Sequence, residues 1–244
     1  MTTTYPADAR SAAQPGFVAK LIFYAIVPTA VLVALLYIAH VSPAAYDANF
    51  GGETGYLEIS HIVLPLIAAF MAARLIFAFH RDRNLPMTLF SVLAVAASVF
   101  AAGEEASYGQ HFFGWEAEGV FRELNDQQET NLHNIGSWFD QKPRAILEAI
   151  TILAGLVVPF MQERVRSWLP TFMKPYVTGF WFMPIAILIQ LSELPKRLGL
   201  GGVGIIPDIR YSEVQEFFIF YFLVLAVWHI SECRRRDIAG RAQA

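Results

Sequence analysis

Six apolar stretches, more than any local motif, decide what this 244-residue chain can become. They run from Leu21 to Ala39, Leu57 to Phe79, Met87 to Gly103, Ala145 to Met161, Tyr176 to Leu191 and Phe217 to Ile230. About twenty apolar residues in a helix cross the ~30 Å hydrocarbon layer of a bilayer, and shorter runs do so when their polar ends reach the interface. Inside lipid the backbone must satisfy its own hydrogen bonds, which a helix does within one segment. The composition agrees, with 55% of residues hydrophobic and only 16% charged, where soluble domains carry about a quarter. The expected fold is all-α: a polytopic membrane helix bundle of about six transmembrane helices, with an extracytoplasmic helical cap between the third and fourth. Residues 1–17 read as a cytoplasmic tail, 18–233 as a single membrane-embedded domain and 234–244 as a basic cytoplasmic tail. The first run is long for a signal-peptide core and lacks a small-residue exit, so it reads as a retained anchor. The single cysteine, Cys233, excludes an internal disulfide.

Orientation follows from lysine and arginine, which cytoplasmic loops retain. With the N-terminus inside, twelve of the eighteen fall on the inner side, in short groups such as HRDR (His80 to Arg83) and CRRR (Cys233 to Arg236). Groups of this kind set topology and contact anionic headgroups, and none forms a nucleic-acid surface. Both termini are then cytoplasmic, as expected of a protein in a bacterial inner membrane. Sixteen of the twenty-one acids and four of the six histidines, His40, His61, His111 and His133, fall outside. The polar chemistry of the chain is therefore expected on its extracytoplasmic side.

About forty residues, 104–143, separate the third and fourth runs. A connection of that length in a helix bundle is functional or disordered, and HFFGWEAEGVFREL and NLHNIGSWF are too rich in apolar residues for disorder. The expectation is a folded cap whose Phe112, Phe113, Trp115, Phe121, Trp138 and Phe139 suit the headgroup region. The cap opens on GEEASYGQHFFGWE, Gly103 to Glu116, directly after the charge-free end of the third run. If the third helix continues through it, Glu104, Tyr108 and His111 share one face at i, i+4 and i+7, and Glu105 points elsewhere.

Similar groups recur at other outer helix ends. Glu58 and His61 are spaced i, i+3; Glu129 and His133 i, i+4; Glu213 and Glu216 i, i+3. Plainer roles compete for some of them: Asp126-Gln-Gln-Glu129 has the form of a capping box. Ser212 ahead of Glu213 reads as an N-cap with an acid in the first turn, and Glu148 as an early-turn acid. An ionised group at membrane depth costs several kcal/mol unless partnered, which makes such residues functional candidates. Glu104, Glu105 and Tyr108 are the candidate catalytic groups. Glu58, His61, Glu104, His111, Glu129, His133 and Glu216 are the candidate metal ligands.

Carboxylate and imidazole groups on one helix face converge on a hard or borderline cation such as Zn, Fe or Mn. Two-metal carboxylate bundles take a Glu from each of two helices and a Glu-x-x-His pair from each of two more. Only Glu58-Ile-Ser-His61 has that spacing here, so a di-metal site and a mononuclear zinc site built on two or three histidines both stay open. No His-Glu-x-x-His pair, Cys cluster, Gly-x-Ser-x-Gly elbow or phosphate loop is present.

The block EEASYGQHFFGWE followed by NDQQETNLHN resembles a signature of bacterial polytopic membrane proteins in which E-E-x-S-W-G-Q precedes N-L-H-N. Tyr108 stands where that signature has tryptophan. The resemblance implies a bacterial inner-membrane protein and carries over no activity. Three functions are compatible with these residues. One is a metal-dependent membrane enzyme, a hydrolase or oxidoreductase, acting at the outer leaflet on a lipid or lipid-linked substrate. The others are a non-catalytic subunit of a larger membrane complex and a proton- or cation-coupled transporter.

Overall fold

The computed structural model describes residues 16–52, 55–125, 129–132 and 137–242, with the backbone alone for His111, Leu124, 137–141 and 241–242. Among the described residues every regular element is helical and none is a strand. The long elements are α1 (Phe17–Val41), α2 (Pro43–Phe50), α3 (Tyr56–Arg81), α4 (Leu85–Glu105), α5 (Ser137–Ile152), α6 (Met183–Arg197) and α7 (Tyr211–Ala242). Among the described residues five helices are long and apolar enough to cross a membrane: α1, α3, α4, α7, and α5 from Lys142 through its continuation to Phe160. The chain is thus an all-α, multi-pass membrane bundle. Phe70, Phe77, Leu93 and Phe100 stand exposed on α3 and α4, a surface that in water would be a liability and in lipid is the ordinary outer face.

The fifth expected span, Tyr176 to Leu191, is the one that falls short. Its α-helix, α6, begins only at Met183 and has 15 residues, a length of roughly 22 Å. Val177 to Gly179 ahead of it are non-helical, and its last turns are taken up by Glu193, Pro195, Lys196 and Arg197. It nevertheless joins the two ends of the bundle. Phe182, just before it, packs edge-on against Tyr24 of α1 and His229 of α7, while Arg197 at its other end pairs with Glu148 of α5.

Two prolines shape the helices they interrupt. Proline has no N–H, and its ring crowds the carbonyl four residues back. In α1 a wide π turn, Ile22–Ile26, lies immediately before Pro28. In α5 the π turn Leu153–Val157 precedes Pro159 in the same way. Such one-turn bulges absorb a break in the hydrogen-bond ladder without ending the helix.

Packing relies on small residues where backbones approach, as membrane bundles do because lipid offers no hydrophobic drive between helices. Ala68 and Ala72 of α3 and Ala102 of α4 are buried in the α3–α4 hairpin, whose turn is capped by the Asn84 side chain accepting from the Met87 N–H. α7 lies against α3 on one side and α6 on the other, and buries Val214, Phe218, Phe222 and Leu225. With 32 residues it is about 48 Å long, well beyond the hydrocarbon thickness, so its two ends carry polar groups on both sides. At one end Arg234 grips Asp82, after α3, through two hydrogen bonds of 2.6 and 2.9 Å. At the other end Glu213 and Glu216 meet the starts of α3 and α5.

Candidate metal centre

His61 sits on the second turn of α3 with a fully buried side chain. Its Nε2–H donates to the Glu213 carbonyl at 3.0 Å. A carbonyl oxygen can only accept, so this bond fixes the ring and places the proton on Nε2. Nδ1 then faces three carboxylates from three helices: Glu58 Oε2 at 3.6 Å, Glu105 Oε2 at 3.6 Å and Glu213 Oε2 at 3.7 Å. None is close enough to bond it, and Nδ1 has no hydrogen-bond partner among the described residues. Donors held about 2.0–2.2 Å from a common ion stand roughly 3–4.4 Å apart, and the observed spacings fall in that interval. Glu58, His61 and Glu105 form one group in which donor atoms lie within 4.8 Å of one another, and His61, Glu213 and Glu216 form a second.

Local structure explains why these side chains converge. Glu58 and His61 share one face of α3 at i, i+3, and Glu213 and Glu216 do the same at the start of α7. Glu105 is the last residue of α4. Four carboxylates this close repel unless compensated, and two arginines partly compensate them. Arg210 Nη1 lies 2.7 Å from Glu58 and its Nη2 3.3 Å from Glu213. Arg144 Nη1 lies 3.1 Å from Glu216, and its Nη2 donates to the Ser212 carbonyl and Gln215 Oε1 at 2.8 and 3.0 Å. Arg144 also stands 3.5 Å from Glu193, so the two guanidinium groups offset only part of the cluster's carboxylate charge. Further out, Arg197 bonds both Glu148 and Glu193, and these two carboxylates raise its pKa.

The Glu104–Glu105 pair divides its work. α4 does not continue through the motif: Ser107 and Tyr108 adopt left-handed φ values of 44° and 52°, a conformation costly for side-chain-bearing residues, and Gly109 follows at 106°. The expected shared face of Glu104, Tyr108 and His111 is therefore not formed, because the chain turns off the helix axis after Ala106. Glu105, expected off the face of Glu104, does lie off it, against His61. Glu104 turns to the cap and accepts the Leu132 N–H at 2.7 Å. Ser107 Oγ donates to Glu129 at 2.9 Å and Gln110 Oε1 accepts the Thr130 N–H at 2.6 Å. Positions 104, 107 and 110 thus clamp the segment 129–132. Asn131, fully buried, completes the clamp by donating to Ser107 Oγ and Glu129 Oε2 at 2.8 and 2.6 Å, with Asn125 Nδ2 donating to Asn131 Oδ1 at 2.9 Å.

The candidates sort accordingly. Glu58, His61 and Glu216 come together, joined by Glu105 and Glu213. Glu104 and Glu129 are in neither donor group among the described residues. Tyr108 is half exposed, its ring against Gly103. Burial and the neighbouring Glu104 carboxylate push its phenol up to about 12, so it stays protonated at neutral pH and can act only as a neutral donor or acceptor. The His111 side chain and His133 lie outside the described residues. Glu213 was masked by its resemblance to a first-turn cap acid, yet Ser212 lies inside the helix and bonds Lys196 instead. The i, i+3 repeat with Glu216 was the signal that identifies it. Arg144 and Arg210 read as ordinary outer-loop cations, and only their position beside acids at helix starts hinted otherwise.

Replacing Asn131 with alanine is expected to cost about 1–3 kcal/mol, since it strips partners from buried polar groups. Faster hydrogen exchange across 104–132 with unchanged metal content would verify the division between clamp and ligands. No protein-family model, no curated protein and no solved structure matches this chain.

Proposed function

We propose that this protein is a membrane-embedded, metal-dependent enzyme whose carboxylate–histidine site acts at the outer leaflet on a lipid or lipid-linked substrate. The observation that carries this reading is the His61 ring. Its Nε2–H is committed to a backbone carbonyl, and its buried Nδ1, without a hydrogen bond among the described residues, stands 3.6–3.7 Å from carboxylates of α3, α4 and α7. Orienting a ligand imidazole through the nitrogen that does not bind metal is the usual arrangement in metal sites. A buried imidazole nitrogen without a partner is costly, and an ion shared with the surrounding carboxylates would supply one.

The donor set, four carboxylates and one imidazole, favours iron or manganese over the nitrogen- and sulfur-rich environment typical of zinc. Two groups sharing His61 are compatible with one ion or an adjacent pair. The second helical pair is Glu213-x-x-Glu216 where known two-metal bundles have Glu-x-x-His. A bound ion would supply a Lewis acid and a water of lowered pKa. Glu105, Glu213 and Glu216, each with a side chain 19% exposed, line the open side of the cluster and would take up a proton there. Arg144 and Arg210 hold the outer carboxylate oxygens and would orient an anionic substrate group.

The distribution of basic residues supports a bacterial cytoplasmic membrane, with both termini inside and the cluster outside. Purified protein reconstituted with Fe(II), Mn(II) or Zn(II) is expected to retain one or two equivalents after desalting. Metal far below stoichiometry would sink the reading. The cluster would then be an ion-pair lattice fixing three helices, as expected of a non-catalytic subunit. Lipid extracts incubated with the loaded protein and resolved by mass spectrometry identify the substrate by its disappearance.

A further inference from the structure

The opposite end of the bundle holds a cavity of about 540 Å³. Four elements enclose it: the first turns of α1, the short helix Gln162–Trp168, the segment from Pro175 to Phe182, and the last turns of α7. Three cations face it from three of these elements, Lys20, Arg166 and Arg236, against the single carboxylate of Asp237 among its lining residues. Arg166 is held by Glu163 at 3.0 Å. Lys20 has no carboxylate partner among the described residues, and its Nζ stands 5.8 Å above the Trp181 ring. The Nε of Arg236 is enclosed and takes no hydrogen bond among the described residues.

Half-buried cations that outnumber their acids, as Lys20 and Arg236 do here, are offset when an anion completes them. Guanidinium and ammonium donors converging from separate elements suit the oxygens of a phosphate. The cavity is in the range of small-molecule sites and far exceeds what a bare phosphate fills. Val177, Trp181 and Phe182 give it an apolar and aromatic wall, beside the polar Gln162, His229 and Cys233. Beside it Phe17, Val18 and Phe23 stand exposed on α1, where an acyl chain would lie, and Phe17 packs edge-on against Trp181. Tryptophan at this depth marks the headgroup level.

We propose that this cavity is a binding site for the phosphate headgroup of an anionic glycerophospholipid drawn from the leaflet at that end, separate from the carboxylate cluster. The full-length protein, delipidated in a neutral detergent, is titrated with phosphatidylglycerol, with phosphatidylcholine and with inorganic phosphate, and bound species are counted by native mass spectrometry. Phosphatidylglycerol is expected to bind at one copy per chain in preference to phosphatidylcholine. Lys20→Gln and Arg236→Gln are each expected to weaken it roughly tenfold, the scale of one charge-assisted contact. Lys20→Arg with Arg236→Lys keeps both charges and should retain binding, which separates a folding defect from a lost contact. Arg83→Gln, an exposed cation after α3, should leave binding unchanged. An equal loss in Arg83→Gln would reduce the effect to general surface charge and overturn the site. So would wild-type retention of phosphatidylglycerol in the Lys20→Gln, Arg236→Gln double variant. Inorganic phosphate competing fully at the affinity of the lipid would overturn the lipid assignment in favour of a soluble phosphate.

Discussion

Glu105→Gln is expected to weaken metal binding about 100-fold, because it neutralises one of the charged donors facing His61 Nδ1. The amide keeps the size and one oxygen of the carboxylate, so packing at the end of α4 is preserved while the charge is lost. The same substitution should act oppositely on the metal-free protein. Without an ion, Glu58, Glu105, Glu213 and Glu216 crowd one imidazole, and removing one negative charge relieves repulsion. In chelator the variant should therefore melt at or above the wild type. In metal the order should reverse, since an ion that binds only the folded state stabilises it by mass action. Thermal melts of both proteins with and without metal test the crossing. A variant that melts lower than wild type in chelator, or binds metal as tightly, would show that Glu105 supports structure and not an ion.

Gly155→Val should be the most damaging single change in the membrane core, costing about 3 kcal/mol or preventing assembly altogether. Gly155 lies in the π turn of α5 where that helix crosses α6. A Cβ there would overlap the Ala186 Cβ and approach the Phe182 carbonyl and the Phe222 ring, each at 3.3 Å. Neither Ala186 nor a backbone carbonyl can move aside as a flexible side chain would. Gly155→Ala creates the same overlap on a smaller scale, and Ala186→Gly removes the atom it meets. The double variant should recover much of the loss of Gly155→Ala, a coupling expected only between residues in contact. Yield of monodisperse protein and melting temperature in detergent measure it. Additive losses would mean that the crossing is not the close approach described.

The bundle was legible in the sequence because a run of apolar residues the length of a bilayer admits few other structures. Its limit came at the span from Tyr176 to Leu191, where helix length depends on when the backbone turns helical and composition is silent on that. The cluster was half legible. Glu58, His61 and Glu216 stand at helical spacing against apolar sequence, and spacing within one helix survives folding. Spacing places Glu105 off the face of Glu104 but not among the ligands, because which helix it meets is set by tertiary packing; the turn after it, two non-glycine residues in the left-handed region, announces nothing in a sequence either. Arg144 could not be found by spacing, since Glu216 is distant in the chain; Arg210 stands at i, i+3 from Glu213, but its shorter contact, to Glu58, is with a helix far away in sequence. Glu104 and Glu129 bond the cap among the described residues: buried carboxylates need donors, and backbone N–H groups or side-chain amides meet that need.

Neighbouring residues on one rigid turn cannot be steered separately. Glu104 holds the backbone at Leu132 while Glu105, one position on, reaches the imidazole. Any rotation of the end of α4 that frees the backbone at Leu132 must also swing the Glu105 oxygen off its mark. Release of that segment and loss of the donor are therefore a single movement.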